Sequence, residues 1–225
     1  MQPNDSTVVR SSSAESILVT NRVLRNTYIL LSLTLMFSAA TAAFAMATNA
    51  PPLSPMITIV GYFGLLFLTG ALRNSAMGIV GVFALTGFMG YTLGPLLNYY
   101  IHAIPNGHAL VMMSFGATGL IFFGLSGYAL VTRKDFSYMG GFLMVGLMVA
   151  FLASIGTLFF HIPALYLAVS AAFVVLSSGV ILLQTSQIIN GGETNYVMAT
   201  ITLYVSLYNI FISLLQIFGA MNNRN

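Results

Sequence analysis

The chain has 225 residues, of which 58% are hydrophobic and only 5% charged, with a mean hydropathy of +0.93. Soluble domains carry about 25% charged residues, so a water-facing exterior is excluded and the outer surface must meet lipid. The net charge of +3 rests on seven basic residues with a single adjacent pair, Arg133-Lys134, which excludes nucleic acid as a partner, and the absence of cysteine excludes disulfides, thiolate metal sites and cysteine nucleophiles.

Residues 1–26 are polar and hold Arg10, Arg22 and Arg25, and they read as a cytoplasmic, partly disordered tail. Within it Ser12-x-x-Glu15 has the spacing of a capping box, and Ile17, Leu18 and Leu24 suit a short helix on the membrane surface. The apolar run 27–48 ends in a small-residue stretch that resembles a cleavage site, but it is longer than the roughly 7–15 residues of a signal-peptide core, so it reads as an uncleaved first span. A helix needs about 20 apolar residues to cross a bilayer. Six further segments qualify, over 56–72, 77–100, 109–131, 138–160, 164–189 and 196–220, leaving 221–225 as a short C-terminal tail. Proline, glycine and charge clusters separate them, and every connection is short. With the N-terminus inside, six basic residues (Arg10, Arg22, Arg25, Arg73, Arg133 and Lys134) lie on the cytoplasmic side and only Arg224 outside, which orients the bundle by the positive-inside rule. The fold class is an all-α integral membrane bundle of seven helices, C-terminus outside.

Lipid is as apolar as leucine, so helices associate through small residues and hydrogen bonds. The third span carries Gly87, Gly90 and Gly94 at helical spacing, which predicts a central, closely packed helix, and Pro95 predicts a kink. In the last span Thr202, Ser206, Asn209, Ser213 and Gln216 form one polar stripe, turned from lipid, with the apolar residues on the other sides. In the sixth, Ser170, Ser177 and Gln184 recur every seven residues, and Gln187 follows Gln184 by one turn. The two stripes are expected to meet inside the bundle, either as structural glue or as a polar cavity open to the cytoplasm; both hold together without conflict. Asn209 is expected to bridge helices. Glu193, in the loop between these spans, reads as a solvated carboxylate near Arg73 or Arg133 in preference to a cation ligand, and Asp135 as a charge partner of Arg133-Lys134.

An enzyme would need a nucleophile and a base within the bundle. His102, His108 and His161 all fall on the outer side, without zinc-protease spacing or a nearby carboxylate. No catalytic residue, metal site or cofactor is expected.

Gly87-Phe-Met-Gly-Tyr-Thr-Leu-Gly-Pro-Leu-Leu97 followed by Gly116-Ala-Thr-Gly-Leu-Ile-Phe122 resembles the signature of the Bax inhibitor-one (transmembrane Bax inhibitor motif) family. Arg25-Asn-Thr-Tyr28, Thr132-Arg-Lys-Asp135, Gly191-Gly-Glu-Thr-Asn-Tyr196 and Leu203-Tyr-Val-Ser-Leu-Tyr-Asn-Ile-Phe211 are similar to its bacterial YccA-type branch. The resemblance implies a central helix surrounded by six, a place in the bacterial inner membrane, and association with the membrane-anchored protease FtsH, which such proteins restrain while being its substrates. It also implies, as an alternative, a calcium or proton leak gated by two aspartates that share a proton. Alignment places Gln184 and Ser206 at those two positions, so the gate is non-titrating here, and the two side chains are expected to hydrogen-bond each other.

Overall fold

The structure, a computed structural model, describes residues 5–160 and 162–222; the side chains of residues 5–18 and of Leu158 fall outside that description, as do Arg224 and His161. Expectations for the side chains of Arg10, Ser12, Glu15, Ile17 and Leu18 therefore lie outside it as well. Among the described residues seven α-helices follow one another: α1 (Asp5–Ala47), α2 (Pro55–Leu72), α3 (Met77–Ala103), α4 (Gly107–Thr132), α5 (Gly140–Phe159), α6 (Pro163–Ile189) and α7 (Tyr196–Asn222), with a 3-10 turn, Ser137–Met139, before α5. Each contains a stretch long and apolar enough to cross a membrane.

The largest departure from the sequence expectation is at the start. α1 is helical from Asp5, so Ser12-x-x-Glu15 lies inside a helix and marks no helix start. The physical reason is tertiary: Val23 is buried against Ile188 and Ala199 at the ends of α6 and α7, so the helix has packing partners before its continuous apolar run begins.

Helix ends follow local chemistry. Ser54 caps α2 by accepting from Ile57 N–H, with Pro55 in the first turn, where a missing amide costs nothing. Asn195 caps α7: its Oδ1 accepts from Val197 N–H (3.0 Å) and Met198 N–H (3.1 Å). α6 ends in a Schellman arrangement, with Gly191 at φ +76°, its amide directed to Ile188 O and the Gly192 amide to Gln187 O.

The most extensive interface is α1 on α3. Gly87, Gly90 and Gly94 make it so. A Cβ on Gly90 would collide with the Ser38 carbonyl and Thr41, and one on Gly94 would lie 2.5 Å from Ala45 Cβ and 2.8 Å from Ala42 O. The backbones touch where side chains are absent, which is the packing rule of membrane helices. α3 continues through Pro95 to Ala103.

α7 packs against α1, α3, α4 and α6, and half of the residues in its apolar window are buried, against 6% in α2 and 11% in α5. This corrects the expected placement of its faces. Ile201, Leu203, Leu207 and Ile210 are fully or almost fully buried in the main core; of the polar stripe Ser206 and Ser213 are buried as well, and Thr202, Asn209 and Gln216 are half-buried. A helix inside a bundle has no lipid-facing side, so its apolar flank fills the core and its polar edge lines a gap. α5 sits at the periphery, held by α6 and by Phe151, whose ring lies 5.5 Å from Phe63 of α2.

Candidate functional site: a polar seam between the last two helices

The seam is anchored at one rung. Ser170 Oγ of α6 donates to Gln216 Oε1 of α7 at 2.7 Å. Antiparallel helices rise equally per residue, so this register sets Ser177 level with Asn209 and Gln184 level with Thr202. Both stripes repeat every seven residues, and three rungs therefore line up along the interface. Only the outermost is bonded. Ser177 Oγ and Gln184 Nε2 are buried with no hydrogen-bond partner among the described residues.

The register also explains why the expected Gln184–Ser206 contact is absent. Among the described residues no hydrogen bond joins them. Ser206 lies one turn, ~6 Å, beyond the level of Gln184, and its hydroxyl donates to the Thr202 carbonyl of its own helix (2.8 Å). The expected helix-bridging role of Asn209 is likewise not realised. Its amide has no hydrogen-bond partner among the described residues and lines a recess of about 230 Å³ between α5, α6 and α7, together with Ser154, Thr157, Ser170, Ser213 and Gln216. Charged side chains are missing from that lining.

A second group of polar residues gathers where α1, α4, α6 and α7 meet. Thr200 Oγ1 donates to Tyr196 O (2.7 Å) and lies 3.3 Å from Thr27 O, Ser126 Oγ lies 3.5 Å from Thr185 Oγ1, and Thr27 Oγ1 and Tyr28 OH are buried without partners among the described residues. Four buried polar groups, two of them on α1, thus remain unpaired in a region where each unmade hydrogen bond is costly.

The loops are held by hydrogen bonds to backbone groups, where a charge partner of Arg133-Lys134 was expected for Asp135. Glu193 Oε1 accepts from Asn195 N–H (2.8 Å), and Asn195 Nδ2 reaches Arg73 O and Asn74 Oδ1, so Asn195 ties the α6–α7 loop to the α2–α3 turn. Asp135 Oδ1 accepts from Ser137 N–H (2.8 Å) at the head of the 3-10 turn. Hydrogen bonds from Ser137 hold its carboxyl below the ordinary range, because they favour the anion. Arg73 and Arg133 are exposed, and Gln187 is half-buried with its carbonyl engaged by Gly192 and Glu193. His102 Nδ1 lies 3.0 Å from Asn98 O.

Three residues outside the expected site hold it together. Tyr204 OH donates to Thr86 O (3.2 Å) and lies 2.6 Å from Ser38 Oγ, joining α7 to α3 and α1; with its one proton given to Thr86, it accepts from Ser38. Ser186 Oγ donates to Lys134 O and accepts from Phe136 N–H, docking the α4–α5 connection on α6. Asn195 is the third. The signals were available: a hydroxyl in an apolar span must find a partner, and an asparagine just before a helix is a cap.

Seven apolar helices around a seam of hydroxyls and amides, with no acidic or basic side chain in either α6 or α7, define a multi-pass membrane protein whose interior works through neutral hydrogen bonds. The family model described as "Inhibitor of apoptosis-promoting Bax1" matches residues 20–223. The chain belongs to the Bax inhibitor-1 family. It is 56% identical over 197 residues to an uncharacterized protein of Pseudomonas aeruginosa, covering 88% of each chain. It is 51% identical over 215 residues to the "Modulator of FtsH protease YccA" of Escherichia coli K12, covering 96% of this chain and 97% of the relative. It is also 43% identical over 217 residues to an "Uncharacterized membrane protein" of Vibrio cholerae, covering 96% and 97%. The same 51% identity links it to an Escherichia coli O6:H1 protein named "Inner membrane protein YccA".

Proposed function

We propose that this chain is a non-enzymatic modulator of the FtsH protease in the bacterial inner membrane, and is itself drawn on by that protease as a substrate. The observation that carries this reading is the 51% identity, over 96% of the chain, to the relative named as such a modulator. The N-terminal end of α1 and the connections α2–α3, α4–α5 and α6–α7 face the cytoplasm in this reading. Its support is the gathering of Arg73, Arg133 and Lys134 at the end where Asn195 binds Arg73 O and Asn190 binds Lys134 O. α7 is the central helix of the seven, supported by its share of buried residues. Residues 1 to about 20 serve as the segment the protease grips. The test is a pull-down from native membranes at endogenous level: FtsH is expected to co-purify, and degradation of its other substrates is expected to slow as this chain accumulates. Unchanged turnover and unchanged inhibition after removal of residues 1–20 would remove the N-terminal handle from this reading.

The unpaired Gln184 amide and Ser177 hydroxyl favour one alternative, a leak through the bundle with a non-titrating gate. In that case liposomes should show cation flux that vanishes with Gln184→Leu or Ser206→Leu. Equal flux with and without the protein would leave only the modulator.

A further inference from the structure

The polar recess between α5, α6 and α7 has a polar group at every level. Leu176 packs over Gly146 and Leu143 over Gly179, each with its nearest atom 2.6 Å from where a Cβ would stand. Both contacts fix the same antiparallel register, which sets Thr157 of α5 level with Leu165 of α6 and Ser154 level with Ala168. The Ser170–Gln216 bond in turn sets Ser213 level with Phe173 and Asn209 level with Ser177. Thr157, Ser154, Ser170, Gln216, Ser213 and Asn209 all line the recess, so a hydroxyl or amide recurs at each turn on the way down.

The recess starts where the membrane meets water. Thr157 and Tyr166 lie within a turn of the α5–α6 connection, at the ends of their helices. Its wall at Phe173 is ~15 Å below Pro163, about half of a hydrocarbon core roughly 30 Å thick. It closes there. Ser177, level with Asn209, is only 1% exposed and forms no part of the lining.

We propose that this recess is a blind aqueous pocket: it holds a cluster of water continuous with the aqueous phase at the α5–α6 connection, and it admits small hydrophilic solutes to mid-span. Asn209 and Ser213 have no hydrogen-bond partner among the described residues, and a volume of about 230 Å³ has room for several waters, each with polar groups to bind. An acyl chain would leave the amide and the hydroxyls unsatisfied. A bare ion would find no opposite charge to offset its desolvation. The sequence pattern points to a cavity open to the cytoplasm, whereas this pocket opens at the opposite end of α6 and α7. That its mouth faces outward rests on the orientation proposed above; the pocket itself does not.

The chain contains no cysteine, so single thiols can be placed in the full protein without background. Sealed right-side-out and inverted vesicles are treated with membrane-impermeant methanethiosulfonates, one cationic and one anionic. Ser213→Cys and Asn209→Cys break no hydrogen bond among the described residues, and Ser154→Cys probes the pocket independently from α5. All three are expected to react from the face that labels His108→Cys, next to the α3–α4 connection, and not from the face that labels Lys134→Cys. Val175→Cys stands at the same depth but 70% exposed on the lipid side of α6; it should react about ten-fold or more slowly, since apolar surroundings suppress the reactive thiolate. Ser177→Cys should react from neither face. The two reagents should react at comparable rates, because the lining is uncharged. Pocket thiols as slow as Val175→Cys, or reactive only from the Lys134 face, would overturn the proposal. Should the His108 face prove cytoplasmic, with the pocket thiols reacting from it, the proposed orientation fails and the aqueous pocket stands.

Discussion

The hydroxyl of Tyr204 joins α7 to two other helices at once, and its side chain is 2% exposed. Tyr204→Phe removes both bonds and leaves Ser38 Oγ and Thr86 O to find others; a loss of about 1 kcal/mol is expected, read as a lower melting temperature in detergent. Gln184 is the opposite case. Its buried Nε2 has no partner, so Gln184→Met, similar in size and apolar, is expected to raise stability by about 1 kcal/mol; a drop would mean that the amide is engaged. Asp135 contributes a pH dependence of known sign. Its folded pKa is depressed by Ser137, so its stabilising effect is present above the ordinary carboxylate pKa and fades as pH falls through the lowered one. A carboxyl titration followed by NMR should give a midpoint below that of an unstructured aspartate, and the midpoint should rise when Ser137→Pro removes the donating amide. The stripe pattern passes Tyr204 by because it faces away from the Thr202–Ser206 edge, about 160° around the helix; only its hydroxyl, which must find a partner in an apolar span, marks it.

The heptad repeat of α6 and the four-three stripe of α7 were legible in the sequence, and so was their meeting, which Ser170 and Gln216 realise. The register was not. It depends on how many residues the α6–α7 loop consumes, and that follows from the Gly191 turn and the Asn195 cap, which together place Gln184 level with Thr202. Gly191 holds a left-handed backbone at φ +76°. Gly191→Ala is expected to destabilise by about 1 kcal/mol, seen as a lower melting temperature, while Gly192→Ala, at an ordinary backbone position, should cost less. On α3, Gly90→Leu would drive a side chain into Ser38 and Thr41 of α1. A loss of about 3 kcal/mol or more is expected from such overpacking, enough to abolish recovery of a folded chain from mild detergent. By contrast Gly116→Leu on α4, where nothing lies within 4 Å of a Cβ, should be recovered normally.

For the whole molecule, helix number and class could be read directly, since apolar length alone decides what crosses a bilayer. The depth of burial of α7 and the marginal position of α5 could not, because in lipid a buried helix and an exposed one have nearly the same composition. The tightest joint of the bundle belongs to the first helix. α1 is seated on the glycines of α3, tied to α7 by Thr200 at Thr27 O, and linked to Tyr204 by Ser38. Under the proposed function, an ATP-driven machine gripping the amino terminus would meet its greatest mechanical load at the first helix, before anything had been extracted. Resistance at that step would hold the machine idle, and a single-molecule pulling trace should show the highest rupture force in the first event and lower ones afterwards.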